Sequence, residues 1–252
     1  MLITDPWFYA AAIPAVLLMG LSKSGFASGF GSLGTPLMAL AIPVPRAAAI
    51  MLPLLLVMDS VGVQKLWRDR DRRLLRLLLP AGLFGTVLGT ILFRTVPQHI
   101  VAAVVGALTL LFLGQRLVFP PRPDAPPPSR RVGFAFGVAS GFTSFVAHAG
   151  SPPFNAYVLP LRLPPVTFTA TMAVFFAAVN LSKWVPYAWL GLIDGANLLT
   201  SMVLMPLAPL GVWAGVWMAR HIPQVWFYRL AYAGMLLTGL KLLSDGLLHT
   251  AN

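Results

Sequence analysis

The segment SGFASGFGSLGTP at residues 24–36 recurs later in the chain as SGFTSFVAHAGSP at residues 140–152, with six identities in 13 positions. A second pair of segments repeats in the same order. PAGLFGTVLGTILFRTVPQ at residues 80–98 matches PLAPLGVWAGVWMARHIPQ at residues 206–224, and both end in Arg-x-x-Pro-Gln. Glycine-rich membrane helices resemble one another in general, but the shared ending makes that explanation insufficient. The sequence therefore predicts an internal duplication.

The composition places both copies in a membrane. Of the 252 residues, 58% are hydrophobic and 10% are charged, whereas a soluble chain carries about 25% charged residues. Runs of 22, 30 and 25 residues without Asp, Glu, Lys or Arg follow Lys23, Arg131 and Asp194, and about 20 apolar residues span a bilayer as a helix. These runs exclude a soluble enzyme, a disordered chain and a coiled coil. The chain has no cysteine, which excludes disulfides and thiolate metal sites.

A proline-rich stretch, PPRPDAPPPSRR at residues 120–131, divides the chain nearly in half. Proline is incompatible with a helix interior, so we predict that residues 119–131 form a cytoplasmic linker. It separates an N-terminal repeat at 1–118 from a C-terminal repeat at 132–252. Each half is expected to contain one segment broken by glycine and proline, formed by short half-helices or a re-entrant hairpin, within residues 22–45 and 131–164. The remaining helices are predicted near 7–21, 46–66, 73–94, 97–118, 165–189, 195–219 and 223–248.

The charge pattern predicts the topology. Six of the 18 basic residues lie at 65–76 and four more at 116–131, and such clusters face the cytoplasm. The loop WVPYAWLGLIDGAN, which corresponds to 65–76 in the second half, contains no basic residue. We therefore predict an all-α membrane protein of two inverted repeats with about five transmembrane elements each, in which 189–194 and both termini are external. Inverted repeats with broken helices are typical of secondary transporters.

The two broken segments are the candidate binding site. Glycine lets the backbone approach a ligand closely, hydroxyls and free backbone N–H groups donate to an anion, and a helix N-terminus adds partial positive charge. The alternative is that small residues only allow close helix packing. The predicted substrate-binding residues are Ser24, Gly25, Ser28, Ser32, Gly34, Thr35, Ser140, Gly141, Ser144, His148, Gly150 and Ser151. No metal site and no catalytic residue are predicted.

Three ionisable residues are candidates for proton coupling or gating. Asp59 is the one acid inside a predicted span, and intramembrane acids are costly and often functional. Lys65 and Lys183 follow Gln64 and Asn180 in comparable places of the two halves, where a lysine usually extends its amine toward the membrane surface. Anchoring of helix ends is the alternative for both lysines, and a satisfied buried histidine is the alternative for His148.

The Ser-Gly-Phe-x-Ser-x5-Gly-[Thr/Ser]-Pro pattern in both halves, together with the duplication and the length, resembles the TauE/SafE sulfite exporter family, over roughly residues 10–245. The resemblance implies export of small sulfur-containing anions such as sulfite, sulfoacetate or another organosulfonate across a bacterial inner membrane, without a cofactor or an enzymatic reaction. The family's glycine- and proline-rich stretches correspond to 24–36 and 140–152. An anion channel and an intramembrane serine protease, with Ser28 as nucleophile and His148 as base, remain alternatives. The oligomeric state is open, and a homodimer is one option.

Overall fold

The computed structural model describes residues 3–23, 33–42, 44–93, 95, 97–118 and 128–248. Within these ranges the regular structure is helical throughout, which confirms the predicted all-α class. The helices of the first half are α1 (Pro6–Lys23), α2 (Gly34–Met38), α3 (Val44–Leu66), α4 (Arg72–Leu92) and α5 (Gln98–Val118). Those of the second half are α6 (Arg130–Ala147), α7 (Ser151–Val158), α8 (Pro165–Ser182), α9 (Trp184–Trp189), α10 (Gly195–Leu204), α11 (Leu207–His221) and α12 (Gln224–Leu248).

Two helices that the sequence predicted as continuous are interrupted. The first, expected over 165–189, is divided at Lys183 into α8 and α9, but the backbone of Lys183 keeps helical angles and Pro165–Trp189 remains one candidate span. The second, expected over 195–219, is bent by 47° between α10 and α11. A proline lies at or just beyond each interruption, Pro186 and Pro206, and proline cannot donate the backbone hydrogen bond that a continuing helix requires.

Several stretches have the length and composition of membrane spans. Among the described residues, Arg46–Asp69, Arg72–Leu92 and Pro165–Trp189 are long and apolar enough to cross a bilayer. The bent pair Gly195–Leu204 and Leu207–Met218 makes a fourth when it is counted as one span. The chain is therefore a multi-pass membrane protein.

The tightest helix crossings join one half of the chain to the other. Helix α1 packs on α11, α4 on α6, α5 on α12 and α3 on α8. At the α4–α6 crossing, a methyl group on Gly141 would lie 1.9 Å from the carbonyl oxygen of Gly82. At the α1–α11 crossing, a methyl group on Gly20 would lie 2.9 Å from the Cα atom of Gly211. Backbones this close need glycine at the contact, and such packing is a main source of helix association in membranes.

The second broken segment folds as a helical hairpin. Helix α6 ends at His148, whose φ of 50° lies in the left-handed region, and α7 then returns beside α6. At the tip the Ser140 hydroxyl donates to the Gly150 carbonyl over 2.7 Å. At the open end a methyl group on Gly133 would meet the Tyr157 ring at 2.4 Å. The two ends of this hairpin therefore lie on the same side of the molecule, and its tip lies deep inside.

The first broken segment lies largely outside the described residues. Within the described part, α2 begins at Gly34, where an added methyl group would lie 2.7 Å from the Met19 side chain of α1. Residues Ser24, Gly25, Ser28 and Ser32 fall in the stretch that the structure does not describe.

Helix α3 provides a depth scale for the interior. At one end, Arg46 donates to the Asn197 side chain over 3.1 Å, which places this end beside the N-terminus of α10. At the other end α3 leads into Asp71, whose backbone N–H donates to the Thr171 hydroxyl over 2.9 Å. The loop that ends at Asp71 and the loop that ends at Asp194 therefore lie at opposite ends of α3.

Candidate functional site

Seven polar side chains lie together in the interior, and we call them the buried polar network. Five are joined by direct contacts, and His148 and Tyr187 join them through the backbone at the end of α6. Its members come from α1, α3, α6, α8 and α9 and from the turns that follow α6 and α8. They are Lys23, Asp59, Ser144, His148, Asn180, Lys183 and Tyr187.

Asp59 lies at the centre of the network. Its Oδ1 atom forms an ion pair with the Nζ atom of Lys23 at 2.8 Å, and its Oδ2 atom accepts from the amide of Asn180 at 2.6 Å. Lys23 also lies over the Phe176 ring, 4.9 Å from the ring centre. Both members of the ion pair are buried, so their charges face little solvent and depend on each other.

Lys183 extends the network toward the hairpin. It is 0% exposed, and its Nζ atom has three hydrogen-bonding partners. These are the side-chain oxygen of Asn180 at 2.8 Å, the hydroxyl of Ser144 at 2.7 Å and the carbonyl of Ser144 at 2.7 Å. No carboxylate among the described residues lies within ion-pair distance of this lysine. Lys183 is thus a buried amine held by neutral partners.

The tip of the helical hairpin completes the network. The C-terminus of α6 is closed by two backbone hydrogen bonds, from the His148 N–H to the Ser144 carbonyl and from the Ala149 N–H to the Thr143 carbonyl. The first of these is the bond of the αL motif, here with histidine at the position that usually favours glycine. Tyr187 donates to the Phe145 carbonyl over 2.8 Å, and its hydroxyl lies 3.3 Å from the Nε2 atom of His148. The Nδ1 atom of His148 is buried and has no partner among the described residues.

Asp59 and Asn180 lie between the two ends of α3. Asp59 follows Arg46 by 13 residues of the same helix, which corresponds to about 20 Å at 1.5 Å per residue. Asn180 follows Thr171 by nine residues, or about 14 Å. Arg46 lies near the start of α3, and Thr171 contacts Asp71 beyond its other end, so the pair formed by Asp59 and Asn180 lies in the interior of the helix bundle.

The structure places the described candidates of the second half around this network. Ser144 forms a hydrogen bond with Lys183, and His148 lies 3.3 Å from the Tyr187 hydroxyl. Ser140 donates to the Gly150 carbonyl and so closes the hairpin. Gly141 packs against α4, and Gly150 lies against Ser144 and Phe176. Ser151 starts α7 and is only partly buried. The roles of Ser140, Gly141 and Gly150 seen here are structural ones within the hairpin.

In the first half, Gly34 and Thr35 belong to α2 and are buried. The Thr35 hydroxyl has no partner among the described residues. The structure therefore brings together Ser144, His148, Asp59 and Lys183, and it gives Thr35 a buried, unpaired hydroxyl without linking it to them.

One expectation about the lysines is wrong. The sequence suggested that Lys65 and Lys183 occupy comparable places and extend to opposite membrane surfaces. Lys65 is exposed at the end of α3, but Lys183 is fully buried. The residue that faces α8 from α3 is Asp59, through Asn180. The amine of Lys183 stays inside because three acceptors bind it there, the side-chain oxygen of Asn180 and the hydroxyl and carbonyl of Ser144.

Sequence reasoning also missed three members of the network. Lys23, Asn180 and Tyr187 were not candidates. The position of Lys23 could have predicted its burial. It ends the first apolar run and directly precedes the glycine-rich segment at 24–36, which is itself expected to lie inside the protein. Asp59 supplied a second signal, because a buried carboxylate requires a cation.

An apolar groove of about 310 Å³ lies between α5, α6 and α7. Its lining includes the hydroxyls of Thr109 and Thr143, and both donate to backbone carbonyls of their own helices. The lining contains no charged side chain. The groove therefore lacks the donors that an anion requires.

Ionisable groups buried inside a membrane helix bundle, held by helices that end or turn in the interior, characterise membrane transporters. The family model for the sulfite exporter TauE/SafE matches residues 12–242, so the chain belongs to the TauE/SafE sulfite exporter family, a family of transporters. Comparisons with curated proteins and with solved structures gave no significant match.

Proposed function

We propose that this protein is a secondary transporter that exports a small sulfur-containing oxyanion, such as sulfite, sulfoacetate or another organosulfonate. The observation that carries the proposal is Lys183, a fully buried amine without a carboxylate partner. A charge buried in this way requires compensation, and a bound anion supplies it. The family assignment supports the same class of substrate.

The anion's ligands in this proposal are donors next to Lys183. The Ser144 hydroxyl contacts the amine, and the Nδ1 atom of His148 and the Nε1 atom of Trp184 are buried polar atoms without partners among the described residues. Lys183 supplies the cation, and Ser144 and Trp184 supply neutral donors for the oxygens of a sulfite or sulfonate group. The neutral His148 ring directs its Nε2–H at the Tyr187 hydroxyl, which itself donates to Phe145, so that its Nδ1 atom is an acceptor. Lys23 is less suited, because Asp59 already neutralises it.

The architecture supports alternating access. In the proposal, the two repeats are inverted, the linker at 119–131 and the basic loop at 65–76 face the cytoplasm, and the site lies where the hairpin of the second half meets the helices of the first. In the duplication, α1 corresponds to α6 and α4 corresponds to α11. The contacts α1–α11 and α4–α6 are therefore the same contact with the two halves exchanged, as expected for halves related by a twofold axis. A membrane potential or an ion gradient drives transport, in the bacterial inner membrane.

Counterflow in proteoliposomes tests the function. Purified protein is reconstituted with an internal pool of sulfite, sulfoacetate or methanesulfonate, and entry of labelled sulfoacetate is followed. A transporter accumulates label transiently against the gradient and saturates, whereas a channel only equilibrates it. The absence of counterflow for every anion of this panel would refute the proposal.

Two variants test the site. Ser144→Ala removes a hydrogen-bond donor, and a hydrogen bond to a charged group is worth about 1.5–3 kcal/mol, equivalent to roughly a 10- to 150-fold loss of affinity. His148→Gly removes the imidazole that packs beside Tyr187, and we expect it to weaken binding as well. Ser244→Ala, an exposed serine of α12 that bonds only within its own helix, is the matched control. Wild-type affinity in both site variants would remove these residues from the binding site.

A further inference from the structure

The charges of the buried polar network do not balance. It contains two lysines, Lys23 and Lys183, and one carboxylate, Asp59. Lys23 and Asp59 form an ion pair at 2.8 Å, so Lys183 is the member without an opposite charge. An isolated ammonium in a protein interior is strongly unfavourable, and Lys23 adds a second positive charge nearby.

The hydrogen bonds of Lys183 suit two protonation states. The carbonyl of Ser144 accepts only. The side-chain oxygen of Asn180 also accepts, because the amide nitrogen of Asn180 donates to Asp59. The third partner, the hydroxyl of Ser144 at 2.7 Å, both donates and accepts. An ammonium donates to all three partners, whereas a neutral amine donates to the first two and accepts from the hydroxyl.

We propose that Lys183 takes up one proton with each anion and releases it when the anion leaves, so that anion transport is coupled to protons at this residue. The inference rests on the proposed function. In the empty transporter the Nζ atom is a neutral amine that accepts from the Ser144 hydroxyl. A proton from the solvent binds the Nζ lone pair, the Ser144 hydroxyl rotates to become an acceptor, and the anion neutralises the new charge. On the opposite side the anion and the proton leave together, which regenerates the amine.

The groups that face Lys183 from the neighbouring elements are consistent with this cycle. They are Lys23 from α1, Asp59 from α3, Ser144 and His148 from the end of α6, Asn180 from α8 and Tyr187 from α9. Asp59 is separated from Lys183 by the Asn180 amide and is occupied by Lys23. None of the others carries a fixed negative charge, so the anion is the partner that a protonated Lys183 requires.

Proton uptake on binding tests the proposal. Sulfoacetate is added to the full-length protein in detergent micelles, in weakly buffered solution near neutral pH, where both acidic groups of the probe stay ionised. We expect wild type to take up about one proton per bound anion. Lys183→Arg carries a permanent charge and should bind sulfoacetate without proton uptake. Lys241→Arg, the same substitution in the surface pair with Asp245, should behave as wild type.

Three results would overturn the inference. Wild-type binding without proton uptake, or undiminished uptake in Lys183→Arg, excludes Lys183 as the proton carrier while the proposed function stands. Failure of wild type to bind sulfoacetate, sulfite and methanesulfonate alike refutes the substrate class and the proton step together. If Lys183→Arg does not fold, wild-type proteoliposomes decide at clamped zero membrane potential. An imposed proton gradient should then drive sulfoacetate uphill, and a flux that is indifferent to the gradient would overturn the proposal.

Discussion

The ion pair between Lys23 and Asp59 makes a quantitative prediction about stability. Both side chains are buried, at 8% and 1% exposure, and Asp59 receives a second hydrogen bond from Asn180. Removing one partner of a buried pair costs about 3–5 kcal/mol, because the other charge is left uncompensated. We expect Lys23→Met to lose this amount of unfolding free energy. Asp59→Asn should lose somewhat less, since the Phe176 ring still attracts Lys23 and a cation–π contact is worth about 0.5–2 kcal/mol.

The double variant separates the pair from its surroundings. Lys23→Met combined with Asp59→Asn removes both charges, and the new asparagine still accepts from Asn180. Replacing a whole buried pair with neutral groups is often close to neutral in stability. We therefore expect the double variant to be more stable than Lys23→Met alone, with a coupling energy of at least about 2 kcal/mol, near the upper part of the range for contacting residues.

The assay is equilibrium unfolding in mixed detergent micelles, followed by tryptophan fluorescence for wild type, both single variants and the double variant. The same cycle at Lys241 and Asp245 is the control, because this pair lies on the surface of α12 with side chains 39% and 29% exposed. Exposed pairs of this spacing contribute about 0.3–0.5 kcal/mol. Single variants of Lys23 and Asp59 that each cost less than about 1 kcal/mol and add in the double variant would show that the pair is hydrated, which would refute the reasoning.

Four other outcomes follow from the structure. Gly141→Ala should destabilise the protein by about 1–3 kcal/mol through overpacking, since its methyl group meets the Gly82 carbonyl. The control Gly114→Ala, with no atom within 4 Å of the added carbon, should be neutral or slightly stabilising. Thermal unfolding of the two variants measures the difference. His148→Gly should be more stable than His148→Ala by about 1 kcal/mol, because the left-handed conformation penalises a side chain, and equal stabilities would argue against that geometry. Tyr187→Phe should cost about 0.5–1.5 kcal/mol for the hydrogen bond to Phe145, measured in the same way. Single cysteines at positions 70 and 192 should react with an impermeant thiol reagent from opposite sides of the membrane, and reaction from one side would contradict the topology.

The helices were predictable from the sequence because their causes are local. Long apolar runs and the loops between them place α3, α4, α5 and α12 within a few residues of their observed ends. The interruptions were less predictable. Pro186 and Pro206 are visible in the sequence, but proline also occurs inside continuous helices here, as Pro53 does in α3, so proline alone does not decide where a helix turns.

The polar network was only half predictable because its contacts join distant parts of the chain. Asp59, Ser144 and His148 were identified from residue type and position in apolar segments. Lys23 and Lys183 are different: each lies at the end of a helix, where a lysine ordinarily reaches the surface. Their burial depends on α1 and α8 ending inside the bundle. Their partners, Asp59 for Lys23 and Ser144 for Lys183, lie 36 and 39 residues away along the chain, so the local sequence does not reveal these contacts.

The proposed duplication explains why the network is asymmetric. Asp59 lies 15 residues after the start of α3, and Asn180 lies 15 residues after the start of α8. In the proposed duplication these are equivalent positions, and their side chains form a hydrogen bond with each other. Two carboxylates at this distance would repel each other and could not both stay charged. The acid Asp59 and the amide Asn180 instead carry a single negative charge between them. Lys23 forms an ion pair with Asp59, and Lys183 donates a hydrogen bond to the side-chain oxygen of Asn180. In the proposed function, this difference between the two positions leaves Lys183 without a carboxylate partner, which is the property that an anion-binding amine requires.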